Sequence, residues 1–511
     1  MLPSPLIRTL TSNNLVKAAF IFLFFISYSL NGQVTSTADT LVVQWGKHQG
    51  ISKSTPTLQV VVNPMLRQGS PIHEQTFAAL KNIACDYVRY VPWLPYPKLA
   101  IAELEPPKAN KTSWDLSLID PMTIDFLNAT KDHPIILNFS TIPAWMYKTD
   151  KPVVYPQNPD SVSWNYTQGS QLRDSTLSEM ANYFARVYGW YTQGGFTDEL
   201  GKYRSSGYHF DIPYWEVLNE PDLEHQPTPE QYTHEYDAVV SAIKKISPKT
   251  KFVGMALAFG TDPAWFEYFL DHKNHKGGVP IDMISYHFYA TPSLDQSIDV
   301  MQYTFFDKAN GFINSVRFIE NIRKRLSPQT KTTVDEIGSI LLTDFLPNAP
   351  DIPNEYWNLS GALYAYVFAA LSAIGIDLIG ESQLVGYPTQ FPSVSMMNWT
   401  TGKPNARYWV LKLIKDNFLP GDTLTNVYVA GNGSAGSDLS VQGFETKQGK
   451  KILLINKRNK SVKVVVPSSL KGGKISVVDV STADNQPAQL TIDSDFIELK
   501  PFAVAVIVPL Q

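Results

Sequence analysis

Apolar runs and helical periods alternate along most of the chain, from about residue 57 to residue 418. Short runs rich in Val, Ile and Tyr predict strands. The stretches between them favour amphipathic helices, because their apolar residues recur every three or four positions. The predicted strands are 58–62, 87–91, 134–139, 214–218, 251–256, 281–289, 332–336 and 377–381.

This alternation predicts an α/β fold in which eight parallel strands close into a (β/α)8 barrel, a TIM barrel, over residues 57–418. An open doubly wound sheet is the alternative for the same pattern. Two observations favour the barrel. No glycine-rich phosphate loop follows the first strand, and polar residues stand at many strand ends rather than at one switch point.

The pattern changes after Pro420, where no helical period remains. Segments 450–456, 462–466 and 502–508 are apolar or alternate between apolar and polar residues, and turn residues separate them. Short strands of this kind predict a β-sandwich over residues 419–511. Residues 40–49 are a candidate for one further strand of that sandwich.

The N-terminus has the features of a signal peptide, which we expect to span residues 1–33. Arg8 and Lys17 supply positive charge, and residues 18–30 form an apolar run that is shorter than the about 20 residues of a membrane span. The expected location is therefore secreted or periplasmic, with an uncleaved anchor as the alternative. No membrane association is expected beyond this export signal.

Composition excludes several classes of function. The net charge of −4 comes without a basic stripe, so nucleic acid is not an expected partner. The nine histidines form no close cluster with Asp or Cys, so no metal or other cofactor is expected. Cys85 is the only cysteine, which rules out an intrachain disulfide. Composition leaves the oligomeric state open.

Two acids stand at predicted strand ends, where a barrel places its catalytic groups. Glu220 follows Asn219 and precedes Pro221, which cannot continue a strand. Partial burial at such a place raises the pKa of a carboxyl, as a general acid requires. Glu336 ends the seventh strand, and its neighbour Asp335 should face the opposite side because side chains alternate along a strand.

One further acid, Glu216, lies inside the fourth predicted strand. A charged group on an apolar strand requires a partner. We expect Glu216 to be the buried partner of a cation inside the barrel.

The segment 215–221, Trp-Glu-Val-Leu-Asn-Glu-Pro, resembles the retaining glycoside hydrolases of clan A, most closely family 39 with its β-xylosidases and α-L-iduronidases. The resemblance implies that Glu220 is the general acid/base and Glu336 the nucleophile. It also implies roles for four other residues in holding the sugar or the nucleophile, namely Asn219, His287, Tyr289 and Arg89.

A retaining mechanism needs two carboxyls about 5–5.5 Å apart, one ionised and one protonated. The sequence therefore predicts an exported glycoside hydrolase that cleaves O-glycosidic bonds of oligo- or polysaccharides by double displacement, so that its partner is a carbohydrate. A non-catalytic carbohydrate-binding protein on the same fold is the alternative. Trp145 and Glu381 are further candidates for lining the sugar site.

Overall fold

The computed structural model describes residues 38–164, 169–346 and 351–510. Its strands are β1 (Thr40–Ile51), β2 (Thr55–Val61), β3 (Val88–Val91), β4 (Ile135–Leu137), β5 (Gly195–Thr197), β6 (Tyr203–Ser205), β7 (Tyr214–Glu216), β8 (Lys251–Leu257), β9 (Met283–Ala290), β10 (Lys331–Ser339), β11 (Leu378–Glu381), β12 (Thr423–Ala430), β13 (Leu439–Thr446), β14 (Gly449–Asn456), β15 (Val462–Val465), β16 (Lys474–Val478), β17 (Ala488–Thr491), β18 (Phe496–Leu499) and β19 (Val504–Val508).

The helices lie mainly between the barrel strands. They are α1 (His73–Ile83), α2 (Pro97–Ala100), α3 (Asp120–Ala129), α4 (Ser178–Thr192), α5 (Pro221–Glu224), α6 (Pro229–Ile246), α7 (Pro263–Phe269), α8 (Ile298–Leu326), α9 (Asn354–Ile374), α10 (Ala406–Asn417) and α11 (Ala435–Asp438).

Eight parallel strands close into a barrel in the order β10, β11, β2, β3, β4, β7, β8, β9. The predicted (β/α)8 fold is therefore confirmed. The strands are apolar because both of their faces are buried, one in the barrel and one under the helices. As a consequence, the few polar residues on them stand out in the sequence.

The helix that precedes β10 is longer than its sequence pattern predicts. Helix α8 begins at Ile298, whereas the apolar period in the sequence predicts a helix only from about residue 311. Its first half buries residues at a spacing of about four, including Met301, Phe305 and Ala309, but polar residues between them hide the period.

The C-terminal strands form one nine-stranded sheet in the order β17, β16, β19, β14, β13, β12, β1, β15, β18. Strand β1 pairs antiparallel with β12, so the N-terminal strand belongs to this sheet. Residues from both ends of the sheet, such as Ile475 on β16 and Ile497 on β18, share one apolar core. The sheet thus folds over itself as a β-sandwich, the predicted class.

Helix α9 is long and apolar enough to cross a membrane by length and composition, and 72% of its most apolar window is buried inside the protein. This burial is what a barrel helix requires, because α9 packs against α8 and α10. The predicted signal peptide, residues 1–33, lies outside the described residues.

Candidate active site

A cavity of about 770 Å³ opens at the C-terminal ends of the barrel strands. Glu220 and Glu336 both line it, together with Asn219 and Tyr289. These residues come from β9, from β10 and from the turn after β7. Side chains that are far apart in the sequence therefore meet at one cavity of the barrel.

Glu336 is held by two strong donors. Arg89 Nη1 donates to its Oε1 at 2.5 Å, and the Tyr289 hydroxyl donates to its Oε2 at 2.6 Å. Burial alone would raise the pKa of Glu336, but the charges of His287 and Arg89 and these hydrogen bonds outweigh it. The pKa of Glu336 therefore lies below its ordinary value, and the carboxylate is ionised at neutral pH.

The guanidinium of Arg89 is fully buried and uses its fork of N–H groups on several partners. Its Nε donates to Glu216 at 2.5 Å, which makes Glu216 the buried partner of a barrel cation that the sequence predicts. Arg89 Nη1 also donates to Gln59, and Nη2 donates to Asn219 Oδ1 at 2.7 Å. Arg89 thereby fixes the positions of Asn219 and Glu336 relative to each other.

Glu220 lies in the turn that follows strand β7 and not at the end of the strand itself. Strand β7 ends at Glu216, and Leu218 and Glu220 then take positive φ angles of 63° and 42°. Such angles are strained for non-glycine residues and cluster at functional sites. Two hydrogen bonds hold the turn: Asn138 Nδ2 donates to the Leu218 carbonyl, and the Glu220 N–H donates to the Ala256 carbonyl.

The surroundings of Glu220 have the opposite effect to those of Glu336. Burial raises the pKa of Glu220, and a hydrogen bond from His287 opposes this only in part. The negative charge of Glu336 raises the pKa further. The two carboxyls thus favour different protonation states in one cavity.

His287 lies between the two acids. Its Nδ1 is 2.8 Å from Glu220 Oε1, and its Nε2 is 3.6 Å from Glu336 Oε1. Burial lowers the pKa of His287, but Glu336 and Glu220 together raise it to about 9, so the ring is a cation at neutral pH. One ligand atom from each of the three residues lies within 4.8 Å of the other two, a spacing that suits metal ligands too. The positive charges of the imidazolium and of Arg89 disfavour a metal ion there.

Asp335 does not face away from Glu336, which corrects the expectation from strand alternation. The pairing of β10 with β9 shifts register between Thr333 and Glu336, which is a β-bulge. Both carboxyls therefore approach Arg89, with Asp335 Oδ2 at 3.6 Å from its Nε. The close approach of β11 is possible because Gly380 has no side chain: a Cβ there would meet the Asp335 carbonyl oxygen at 2.9 Å.

The other difference between Asp335 and Glu336 is access to the cavity. Asp335 is buried, and neither of its oxygens accepts a hydrogen bond from any residue that the structure describes. Burial holds its pKa well above the usual range. Only Glu336 of this neighbouring pair lines the cavity.

Four predicted site residues do not lie among the described residues that line the cavity, namely Arg89, His287, Trp145 and Glu381. Arg89 and His287 still contact the two acids, whereas Trp145 and Glu381 have other partners. The Trp145 indole N–H donates to the Glu103 carbonyl, and Arg173 stacks on its ring at 4.5 Å. Glu381 is fully buried and pairs with Arg407 at 3.0 Å. Both side chains are thus engaged in packing or ion pairing, which the sequence could not distinguish from contact with a sugar.

A group of polar residues that the sequence pattern did not single out supports the site. Glu224 Oε1 accepts hydrogen bonds from Trp93 Nε1 at 2.6 Å and from Asn219 Nδ2 at 3.0 Å. Gln59 donates to Ser382, whose hydroxyl also lies 2.6 Å from the Tyr289 hydroxyl. Gln59 is a single polar residue between Leu58 and Val60 in the apolar run of β2, which is the signal that could have identified it.

Residues 203–337 match the model of the family "Glycosyl hydrolases family 39". The match includes both Glu220 and Glu336, so the family 39 resemblance predicted from the segment 215–221 is confirmed. The family 39 match supports a glycoside hydrolase. No curated protein sequence matches the chain at a significant level.

Solved structures show the same fold. A family 51 arabinofuranosidase from Xanthomonas axonopodis pv. citri has a TM-score of 0.63 at 13% identity, over 92% of this chain and 99% of that chain. An α-L-arabinofuranosidase from Thermotoga maritima has a TM-score of 0.59 at 16% identity, over 93% and 100%. A conserved exported protein from Bacteroides fragilis has a TM-score of 0.57 at 11% identity, over 92% and 99%. These similarities cover the barrel and the sandwich together.

Proposed function

We propose that the chain is an exported, retaining O-glycoside hydrolase in which Glu336 is the nucleophile and Glu220 is the general acid/base. The observation that carries the proposal is the pair of carboxyls within 4.8 Å of each other at one cavity. Retaining enzymes hold their carboxyls about 5–5.5 Å apart, whereas inverting enzymes need about 6.5–9.5 Å to admit a water molecule between them and the sugar.

In the first step the ionised Glu336 attacks the anomeric carbon, and Glu220 gives its proton to the leaving oxygen. A covalent glycosyl ester with Glu336 forms, and the alcohol leaves. In the second step Glu220, now ionised, takes a proton from water while the water oxygen attacks the same carbon. This releases the sugar with its original anomeric configuration and restores both carboxyls.

The neighbouring side chains support these roles. Arg89 and Tyr289 stabilise the ionised form of Glu336 through the hydrogen bonds described above. His287 orients Glu220 through Nδ1. Asn219 is fixed between Arg89 and Glu224 and lines the cavity, where it is placed to contact the sugar hydroxyl next to the reacting carbon.

The decisive experiment is labelling with a panel of 2-deoxy-2-fluoro glycosyl fluorides, followed by peptide mapping. We expect one sugar of the panel to label the peptide that contains Glu336, at Glu336 and not at the adjacent Asp335. The Glu336→Gln variant should take up no label, whereas Asp335→Asn should still be labelled at Glu336. A label on another residue would contradict the assignment of the nucleophile.

Turnover separates the enzyme from a non-catalytic sugar-binding protein. We expect hydrolysis of an activated aryl glycoside of the same sugar. Sugar binding without turnover of any glycoside in the panel would contradict the proposed function.

The export signal is tested by expressing the chain with its own N-terminus and measuring the mass of the mature protein. We expect loss of about the first 33 residues and recovery from the periplasm or the medium. A protein of full-length mass in the cytosol would show that this segment is not a cleaved signal.

A further inference from the structure

The cavity has a polar floor and an apolar rim. Glu220, Glu336, Asn219 and Gln59 form the floor at the strand ends. The rim includes six large apolar side chains from the loops after β3, β4, β7, β8, β10 and β11. We call these residues the apolar collar: Trp93, Trp164, Leu223, Phe259, Leu346 and Phe391.

The collar lies at the mouth of the cavity, where it is partly exposed to solvent. Four of its members are exposed, with 60% of Phe259, 53% of Leu346, 40% of Trp164 and 38% of Leu223 accessible to solvent. Large apolar side chains that are exposed together at a cavity mouth mark a binding surface, because a ligand that covers them removes apolar area from water and so lowers the free energy of the complex.

The collar is also pre-formed. Trp164 packs edge-on against Trp93 and Phe391 at centroid distances of 5.5 Å and 5.4 Å. The backbone N–H of Phe259 donates to Asp222, two residues after Glu220. The Leu223 N–H donates to the Glu220 carbonyl. Phe259 and Leu223 are thus tied to the segment that carries the proposed proton donor.

Because the collar lies beside Glu220, its location determines which part of a substrate it contacts. A retaining enzyme protonates the oxygen of the leaving group, so the leaving group lies beside the acid/base and exits through the cavity mouth. The sugar whose anomeric carbon is attacked must lie on the floor, next to Glu336. The collar therefore contacts the leaving group.

A second sugar ring is a poor match for the collar. Its hydroxyls would need hydrogen-bond partners once they lose water. The indole N–H of Trp93 already donates to Glu224. Of the polar groups near the collar, Thr389 is hydrogen-bonded to Tyr96, and Asp344 accepts from Ser393 through Oδ2. Asp344 Oδ1 has no partner among the described residues, so this one oxygen is open to a hydroxyl, whereas a sugar ring carries several. Leucine and phenylalanine side chains offer no such partners.

From this arrangement we infer that the substrate is an O-glycoside whose leaving group is an apolar alcohol or phenol, and not a chain of sugars. The inference rests on the proposed function and specifies the leaving group of the same site. The cavity volume of about 770 Å³ is in the range that encloses a drug-sized ligand, which accommodates a sugar with such a group attached.

The test compares three glycosides of the sugar that the aryl glycoside panel selects: the methyl glycoside, the octyl glycoside and the disaccharide of that sugar. The octyl compound is used below its micelle concentration. We expect kcat/KM for the octyl glycoside to exceed that for the methyl glycoside by on the order of 100-fold, since added methylenes gain apolar contact with the collar. It should exceed that for the disaccharide by about tenfold or more.

Two variants tie the preference to the collar. Phe259→Ser and Trp164→Ala change exposed side chains, so the fold is expected to survive, and each should lower the octyl-to-methyl ratio about tenfold. The matched control is Leu490→Ser, which changes a side chain of β17 that is 54% exposed and lies in the C-terminal sheet. This control should keep the wild-type ratio.

The outcomes separate the two proposals. Equal kcat/KM for octyl and methyl glycosides, or faster cleavage of the disaccharide, would overturn the apolar leaving group and leave the retaining mechanism intact. An unchanged ratio in both collar variants would also overturn it. Failure to turn over any glycoside, aryl glycosides included, would instead contradict the proposed function.

Discussion

Two buried glutamates on the neighbouring barrel strands β10 and β11 each pair with a buried arginine, and of the two only Glu336 lines the cavity. Glu336 on β10 accepts hydrogen bonds on both oxygens, from Arg89 and from Tyr289. Glu381 on β11 accepts one from Arg407 at 3.0 Å, and its Oε2 has no partner among the described residues. Arg407 uses its other N–H groups on the carbonyls of Ser382 and Val394.

The nearby positive charges and the number of donors together account for the different protonation of the two acids. The pKa of Glu336 is below its ordinary value because its donors and nearby cations outweigh burial. Burial raises the pKa of Glu381 to about 8 in spite of the attraction of Arg407. A glutamate at the end of a barrel strand is therefore a candidate nucleophile only if several donors reach it and it faces the cavity.

The largest expected difference between the pairs is catalytic. Glu336→Gln should lower kcat/KM for an aryl glycoside by on the order of 10⁴-fold or more, because the nucleophile is lost. Glu381→Gln is the matched change in the pair that does not line the cavity, and its kcat/KM should stay within about tenfold of the wild-type value. Comparable losses in both variants would mean that Glu381 also acts on the substrate.

A second prediction concerns the acid/base. Glu220→Ala should lower kcat by about 10²–10⁴-fold, because both proton transfers lose their catalyst. Azide should restore turnover of activated aryl glycosides and give the glycosyl azide, which mass spectrometry detects. Glu381→Ala should show no response to azide. Rescue of both variants alike would argue against a specific role for Glu220.

A third prediction uses pH to test the donors to Glu336. Tyr289→Phe removes the hydroxyl that lowers the pKa of Glu336, so the pKa rises and the acidic limb of kcat/KM moves to higher pH. We expect a drop of about tenfold in kcat/KM at neutral pH. The control is Tyr364→Phe, a buried tyrosine that donates to the Ile379 carbonyl on β11. An acidic limb that moves equally in both variants would show a general effect of packing.

The smallest effect is expected in stability. Since the pKa of Glu381 is raised to about 8 from 4.5, the folded state holds its proton more tightly than the unfolded state. This group stabilises the fold fully below about pH 4.5, and its contribution is lost as pH rises through about 8. Glu381→Gln cannot ionise, so its Tm should fall less between pH 5 and pH 8, by roughly 1–3 °C. Parallel Tm profiles would indicate that Glu381 is ionised throughout.

The sequence was sufficient to predict the barrel and to propose both catalytic acids, because each of these predictions depends on a local pattern. Apolar runs of strand length are visible directly, and each acid stands at the end of a predicted run. The structure differs in detail, because β7 ends before Glu220 and β10 continues past Glu336 to Ser339. Arg89 and Tyr289 came from the family resemblance, and the structure places both against Glu336.

Other features depend on contacts that no local pattern encodes. The bulge at Asp335 depends on the pairing of β10 with both of its neighbours. The position of Trp145 depends on Glu103 and Arg173, and that of Glu381 depends on Arg407, which is on the next helix. The support of Asn219 by Glu224 and Trp93 joins loops that follow different strands.

The pairing of β1 with strands from the other end of the chain affects folding during synthesis. Asp39, just before β1, accepts a hydrogen bond from the backbone of Gly433, which is 394 positions later. At about 5–20 residues per second, synthesis of that distance takes roughly 20–80 s. During this time β1, whose first half over residues 41–45 is mostly apolar, has no partner strand while the whole barrel is produced. We therefore expect the nascent chain to depend on a holding chaperone at its N-terminus, and a barrel expressed without residues 419–511 to aggregate through β1.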